Sequence, residues 1–357
     1  LGDEAVIFDP LLDLFRGKAV TIPPMDGAFR PNTQLDDAPL AGRLAAPDNL
    51  VELDGRLLAS SGNAVISIAP HGGPQTVSTF DAPVTALAVS PDGELTVALE
   101  TGRLYLDGRE MELPGALVCI TAIAFAPDGS LYAANGSAER RPREWAADLM
   151  LKGESGSLWA GAPGSGAWRE IASGLAFPFG IFLDGAGVVV SESWRHRLVR
   201  IESSGGRSTI LDRLPGYPSR LSPASGGGAW LSLFAPRNRL VEFVLQEDVY
   251  RADMLAEVPP DCWIAPALSS RRSFLEPLQC GAIKTMGVHK PWSPTRSYGM
   301  VVRLDQGMRP LYSLHSRADG TRHGICSLLE HGGRLVAASK GGDCLVAIDL
   351  ATAGGVN

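Results

Sequence analysis

The chain has 357 residues, 45% of them hydrophobic and 20% charged, with a formal net charge of −7. This length and apolar content allow one large all-β core, while Lys and Arg scattered under a net negative charge exclude the basic footprint of a nucleic-acid binder. No uninterrupted apolar run reaches the roughly 20 residues that span a bilayer, so no membrane partner is expected.

The first residues, LGDEAVIFDPLLDLFRG, are acidic and lack a basic segment ahead of an apolar stretch, unlike a secretory signal. The five cysteines, Cys119, Cys262, Cys280, Cys326 and Cys344, are too few and too odd in number for a disulfide framework. They read as mostly free, buried thiols, which together with the N-terminus gives the expectation of a cytoplasmic protein. Cys262 and Cys280, flanking one loop-like segment, form the one pair worth testing for a bond.

Along the chain one unit recurs: an alternating apolar run, a Gly-bearing turn, and a second apolar run. Its copies are NLVELDGRLLASS (49–61), ALAVSPDGELTVALE (86–100), AIAFAPDGSLYAAN (122–135), GIFLDGAGVVVSES (180–193), RLSPASGGGAWLSL (220–233) and SLLEHGGRLVAAS (327–339). Asp-Gly and Gly-Gly between such runs signal hairpins, because these turns need positive φ. Further strand-like pieces follow, such as AVISIAP (64–70), GSLWAGA (156–162) and CLVAIDL (344–350). Small antiparallel sheets repeated at this interval predict an all-β fold, a six-bladed β-propeller spanning residues 1–357 as a single domain. Too few strands follow Ser327 to complete the last blade, so a segment within residues 5–45 is expected to supply its outer strand.

Two stretches interrupt the period. SAERRPREWAADLMLKGES (137–155) reads as a short helical insertion. The second insertion, 238–298, opens on the helical LVEFVLQEDVYRADMLAEV and continues through a Pro-rich segment. A loop of that length in a compact domain is usually functional or a lid, which leaves open a substrate contact or a plain cover over one end of the propeller.

Several phrases carry a family resemblance. SAERRPREWAADLMLKGESGSLW, SESWRHRLVRIE, LPGYPSRLSPASGGGAWLSLFAPRN and SLLEHGGRLVAAS, in that order, resemble segments of the strictosidine synthase-like family, relatives of the gluconolactonase and paraoxonase propellers. The resemblance implies a small-molecule substrate and a site at one mouth of the central channel, where the innermost strands start. In this chain those starts are Asp48 and Asn49, Thr85, Thr121, Phe179, Ser219 and Arg220, and the run Arg322 to Cys326.

Lactonase relatives hold a divalent cation there with oxygen ligands. Here Phe179 stands in place of an amide and Ser219-Arg220 in place of Asp-Asn, so Asp48 and Asn49 are the oxygen ligands left for a residual calcium ion. The resemblance therefore implies a metal-free or metal-poor site. Arg220 is expected to bind an anionic or carbonyl oxygen of the substrate, with Phe179, Ser219, Thr121 and Arg237 as further substrate contacts. Alternatively, Arg220 pairs with Asp48 across the channel and fills the vacated metal position. Where the plant synthase carries a catalytic glutamate this chain has Cys326, with His323 three residues earlier, a candidate acid/base or thiolate pair if the two touch. Arg237 and Asn238 either line the mouth or anchor the long insertion. His196 reads as an exposed strand position, and Trp159, Trp194 and Trp230 as packing between blades. Three functions stay open: a strictosidine synthase-like enzyme (amine–aldehyde condensation, a lyase-type site), a metal-dependent lactonase or esterase-type hydrolase, and a non-catalytic small-molecule-binding propeller.

Overall fold

The computed structural model describes residues 21–69, 73–163, 166–202, 204–270, 273, 275–277, 284–285, 288–289 and 295–353. Six four-stranded antiparallel sheets form the blades of a propeller. The inner strands are Pro47–Leu53, Val84–Val89, Ile120–Phe125, Pro178–Leu183, Gly216–Pro223 and Ile325–His331. Each is paired with the second run of its predicted hairpin: Arg56–Ser61, Leu95–Leu99, Leu131–Asn135, Val188–Glu192, Ala229–Pro236 and Arg334–Ser339. The turn chemistry explains the register. Asp54 and Gly55 both take positive φ, 51° and 71°, the geometry whose twist matches that of the strands it joins.

Apolar positions of neighbouring blades meet face to face. Leu58, Val65, Val84, Val97 and Leu99 join the first blade to the second, and Ala134, Leu158, Ile181, Val190 and Val199 join the third to the fourth. Full burial of a Val, Leu or Ile side chain is worth about 1.5–3 kcal/mol, so each blade draws much of its stability from its neighbours.

The ring closes as the sequence requires. Leu40–Arg43 adds to the edge strand Cys344–Asp349, with Leu40 opposite Val346 and Arg43 opposite Cys344, and becomes the outer strand of the sixth blade. The fifth blade's third strand, Gly299–Leu304, lies beyond the long insertion and pairs back onto Ala229–Pro236. The insertions hold a short helix at Trp145–Met150 and two more at Arg239–Gln246 and Asp248–Glu257.

Topology places both insertions at one end. Every inner strand runs from one mouth of the channel to the other, and the second strand runs back. The insertions follow Asn135 and Pro236, the ends of second strands, so both emerge where inner strands begin.

Candidate functional site

All six inner strands break register near their start, between Pro47 and Leu50, Val84 and Ala86, Ile120 and Ala122, Pro178 and Gly180, Pro218 and Leu221, and Ile325 and Ser327. A bulge leaves residues out of the ladder and re-aims them. Here it frees backbone carbonyls around the channel, and Arg220, itself a bulge residue, answers them. Its Nη1 donates to Asp48 O at 3.2 Å and Cys326 O at 3.3 Å, its Nη2 to Thr85 O at 2.7 Å and Thr121 O at 2.9 Å, and its Nε to Thr121 O at 3.2 Å. Nη1 also reaches Asp48 Oδ1 at 2.6 Å. Gly180 makes this approach possible, because a Cβ there would lie 2.4 Å from Ser219 O and 2.7 Å from Arg220 Cα.

The second oxygen of Asp48 accepts from Lys340 Nζ at 2.5 Å. Burial alone would raise the Asp48 pKa, but Lys340 and Arg220 outweigh it and hold the carboxyl at about 2. Burial works against the Lys340 charge too, yet Asp48 keeps its pKa above the ordinary lysine value. The result is a buried carboxylate between two cations, one caged and the other still one-third exposed.

Above this floor lies a cavity of about 330 Å³, walled by Trp145, Phe177, Phe179, Trp194 and Phe234 and reaching Thr85, Glu100, Arg143, Leu268 and Cys326. The rings hold each other. Phe177 stacks on Trp194 with centroids 4.4 Å apart, Trp145 meets Phe234 edge-on at 5.4 Å, and Phe179 lies 4.9 Å from the Arg220 guanidinium. Phe177 takes a left-handed φ of 52°, strain held by its stack and by Ser193 N donating to its carbonyl. The Trp145–Met150 helix supplies Trp145 and also buried Asp148, whose Oδ1 accepts from Trp194 Nε1 at 2.7 Å. Leu268, from the long insertion, presses on the sixth blade: a Cβ on Gly341 would stand 1.7 Å from its carbonyl oxygen. The insertion thus covers part of the mouth.

Of the residues singled out in the sequence, Asp48, Thr121, Phe179, Arg220 and Cys326 meet at this cavity. For Arg220, Thr121 and Cys326 the geometry favours a role other than the first one expected. All three nitrogens of the Arg220 guanidinium are engaged by the protein, so the alternative reading, a partner for Asp48 at the metal position, describes its geometry. Thr121 Oγ1 is bonded to Pro178 O at 2.6 Å and acts as scaffold. Cys326 is a poor nucleophile, because burial pushes its pKa up to about 12 and its Sγ donates to Gly324 O. His323 forms no pair with it. Its Nε2 donates to Arg317 O at 2.7 Å, since a carbonyl can only accept, and its Nδ1 accepts from Ser297 Oγ at 2.8 Å.

The other candidates point elsewhere. Ser219 is fully buried and bridges blades through Ser232 Oγ at 2.8 Å and Ile325 O at 3.2 Å. Asn49 turns away from Asp48 and donates to Ser60 Oγ at 3.1 Å, capping its strand. Arg237 pairs with Glu242 Oε1 at 2.7 Å and Asn238 Oδ1 accepts from Leu240 N, so this phrase anchors the insertion. His196 is buried rather than exposed, with Nδ1 3.3 Å from Gly216 O, and Trp194 lines the cavity rather than only packing blades. Cys119, Cys326 and Cys344 are free and buried, Cys262 is free and half-buried, and Cys280 lies outside the described residues.

Lys340, Glu100 and Trp145 escaped the sequence reading as site residues. Lys340 and Glu100 share a signal: each directly follows the end of a second strand, at Ser339 and Leu99. In an antiparallel blade that end returns to the mouth where the inner strand began.

A divalent cation does not fit these residues. The carbonyl cage such an ion would need is filled by Arg220, and the carboxylate facing it, that of Asp48, is shared between two cations. Among the described residues no group of three or more His, Cys, Asp or Glu side chains comes together as a metal site.

Fold and cavity together define a six-bladed propeller with a small aromatic pocket at one mouth. No protein-family model matches the chain. It is similar to the adipocyte plasma membrane-associated protein of Danio rerio, 26% identical over 250 residues that make up 60% of each chain. The human protein of that name is 22% identical over 247 residues, 58% of each chain. The chain therefore spans about 60% of the length of the curated relatives it matches. Among solved structures it is similar to a gluconolactonase of Xanthomonas campestris, with 15% identity, a TM-score of 0.54, and coverage of 92% of this chain and 97% of that one. At that identity the likeness shows the fold. No helix among the described residues is long and apolar enough to cross a membrane.

Proposed function

We propose that the aromatic cavity is the active site of a small-molecule enzyme that works without a metal ion. Its substrate has a flat apolar body and a carbonyl or anionic oxygen that Lys340 receives. The observation that carries this reading is the state of Lys340: it lines the cavity, is one-third exposed, and spends one of its three N–H groups on Asp48. Asp48 keeps the ammonium charged and in place, Arg220 neutralises the second carboxylate oxygen, and the rings take the apolar body.

The two reactions the family resemblance suggests, ester or lactone hydrolysis and amine–aldehyde condensation, both begin with addition to a carbonyl. A fixed ammonium at the oxygen stabilises the negative charge that this addition creates, beside aromatic walls that lower the local polarity. Asp48, with its pKa held at about 2, takes no part as a base near neutral pH.

The test is turnover of aryl esters, aryl lactones and aryl aldehyde–amine pairs by protein kept in chelator. Activity should persist there, and Lys340→Met should lower kcat/KM by about 10²–10³-fold, the usual cost of one charge-stabilising donor. Activity that appears only with calcium, or that ignores Lys340→Met, would overturn the proposal. Tight binding with no turnover across the panel would replace it with a binding function.

A further inference from the structure

Two residues on the second-blade wall of the cavity each carry a buried polar atom with no hydrogen-bond partner among the described residues: Thr85 Oγ1 and Glu100 Oε1. Leaving such an atom unmet is costly, so two on one wall of a pocket point to a ligand that meets them. Both residues are fixed in place. Thr85 is the bulge residue of its strand, its carbonyl held by Arg220, and it is 8% exposed. Glu100 is pinned by its N–H donating to Pro83 O at 2.8 Å. They flank the paired residues Val84 and Leu99, one on each strand. Arg143 Nε stands 3.8 Å from Glu100 Oε1, beyond hydrogen-bonding distance, and its side chain is 73% exposed.

We infer that Glu100 and Thr85 form a specificity subsite for a hydroxyl group on the substrate, at a place distinct from the oxygen that Lys340 receives. A carboxylate only accepts, so the ligand must donate to Glu100, and a hydroxyl is both a donor for that carboxylate and an acceptor for the Thr85 proton. An ammonium fits less well, because among the described residues the charged side chains lining the cavity are three cations, Arg143, Arg220 and Lys340, against two carboxylates, Asp48 and Glu100. The substrate class becomes a hydroxylated ring compound bearing a carbonyl or carboxylate. This inference rests on the proposed use of Lys340 and adds the group that selects among its substrates.

The test is calorimetry in chelator with naphthoate and the full set of its monohydroxylated isomers, which carries the hydroxyl around a ring of fixed size. At least one isomer should bind about ten-fold more tightly than naphthoate, the gain of one hydrogen bond to a charged group. That ratio should fall below about three-fold in both Glu100→Gln and Thr85→Val, with folding checked by circular dichroism. If no isomer gains, or if the gain survives either substitution, the subsite is wrong while the Lys340 reading stands. If naphthoate does not bind, or binds Lys340→Met equally well, the underlying reading fails and the subsite with it. A Glu100-dependent preference for naphthylmethylamine would overturn the hydroxyl assignment in favour of a cation.

Discussion

Where the inner strands begin, the channel opens into the aromatic cavity over Asp48 and Lys340. Where they end, it opens into a wider cavity of about 560 Å³ whose wall includes Leu50, Leu87, Ile123, Phe182, Leu221 and Leu328. Arg220 borders both and separates them. The second mouth is ringed by short hairpin turns, such as Asp54-Gly55, that carry no insertion. The first is ringed by bulges and by connections that can lengthen, and the insertions, the aromatic wall and the charges are all there. One set of strands thus carries a face set by turn chemistry and a face free to acquire a site.

The largest expected effect breaks the partition between the mouths. Arg220→Ala strands Asp48 with Lys340 alone and leaves four strand-entrance carbonyls without the donor that now meets them. Removing one partner of a buried pair costs about 3–5 kcal/mol, to be read from urea unfolding. Arg220→Lys should recover little, since an ammonium cannot span the carbonyls that the guanidinium fork reaches. A loss below about 1 kcal/mol would mean that the cage is not what holds the ring together.

A smaller effect should belong to the cavity mouth alone. The Asp48 pKa falls from an ordinary 3.8 to about 2 on folding, so its contribution is fully present above about pH 4 and is lost as pH drops towards 2. The amount is about 2 kcal/mol, and Asp48→Asn should flatten this part of the acid limb of stability against pH. An acid limb identical in the two proteins would sink the assignment.

The smallest effect expected is none. A bound ion would add stability by mass action, so chelator or added calcium should leave the melting temperature unchanged if Arg220 holds the cation position at the centre of the channel. A calcium-dependent rise would show that one of the mouths takes an ion after all.

The hairpins were legible because Asp-Gly and Gly-Gly turns advertise their own φ, and ring closure followed from the strand shortage after Ser327. Parts of the site were legible too, since Asp48, Thr121, Phe179 and Arg220 stand at strand entrances. The pairing of Arg220 with Asp48 was legible as one alternative, but which neighbours face the axis was not, because each entrance is bulged, and a bulge changes which residue faces the axis without leaving a mark in the alternation. Ser219 and Asn49 turned inward into the sheets for this reason. His323 precedes its strand and folds back onto Ser297 and Arg317, contacts separated from it by loops that no periodicity describes. Lys340 and Glu100 were missed because attention to first strands overlooks that second strands end at the same mouth.

The strand Leu40–Arg43 meets its partner Cys344–Asp349 only after some three hundred intervening residues have been made. At ribosomal speeds of about 5–20 residues per second, that wait is on the order of tens of seconds. Throughout it the first blade lacks the sixth-blade neighbour against which Leu50, Leu57 and Ala59 finally pack, so its apolar face stays open to other nascent chains or to a chaperone. Synthesis of this ring is therefore a race between completing the last blade and losing the first, and its yield in a cell will depend on how quickly the ribosome reaches Asp349.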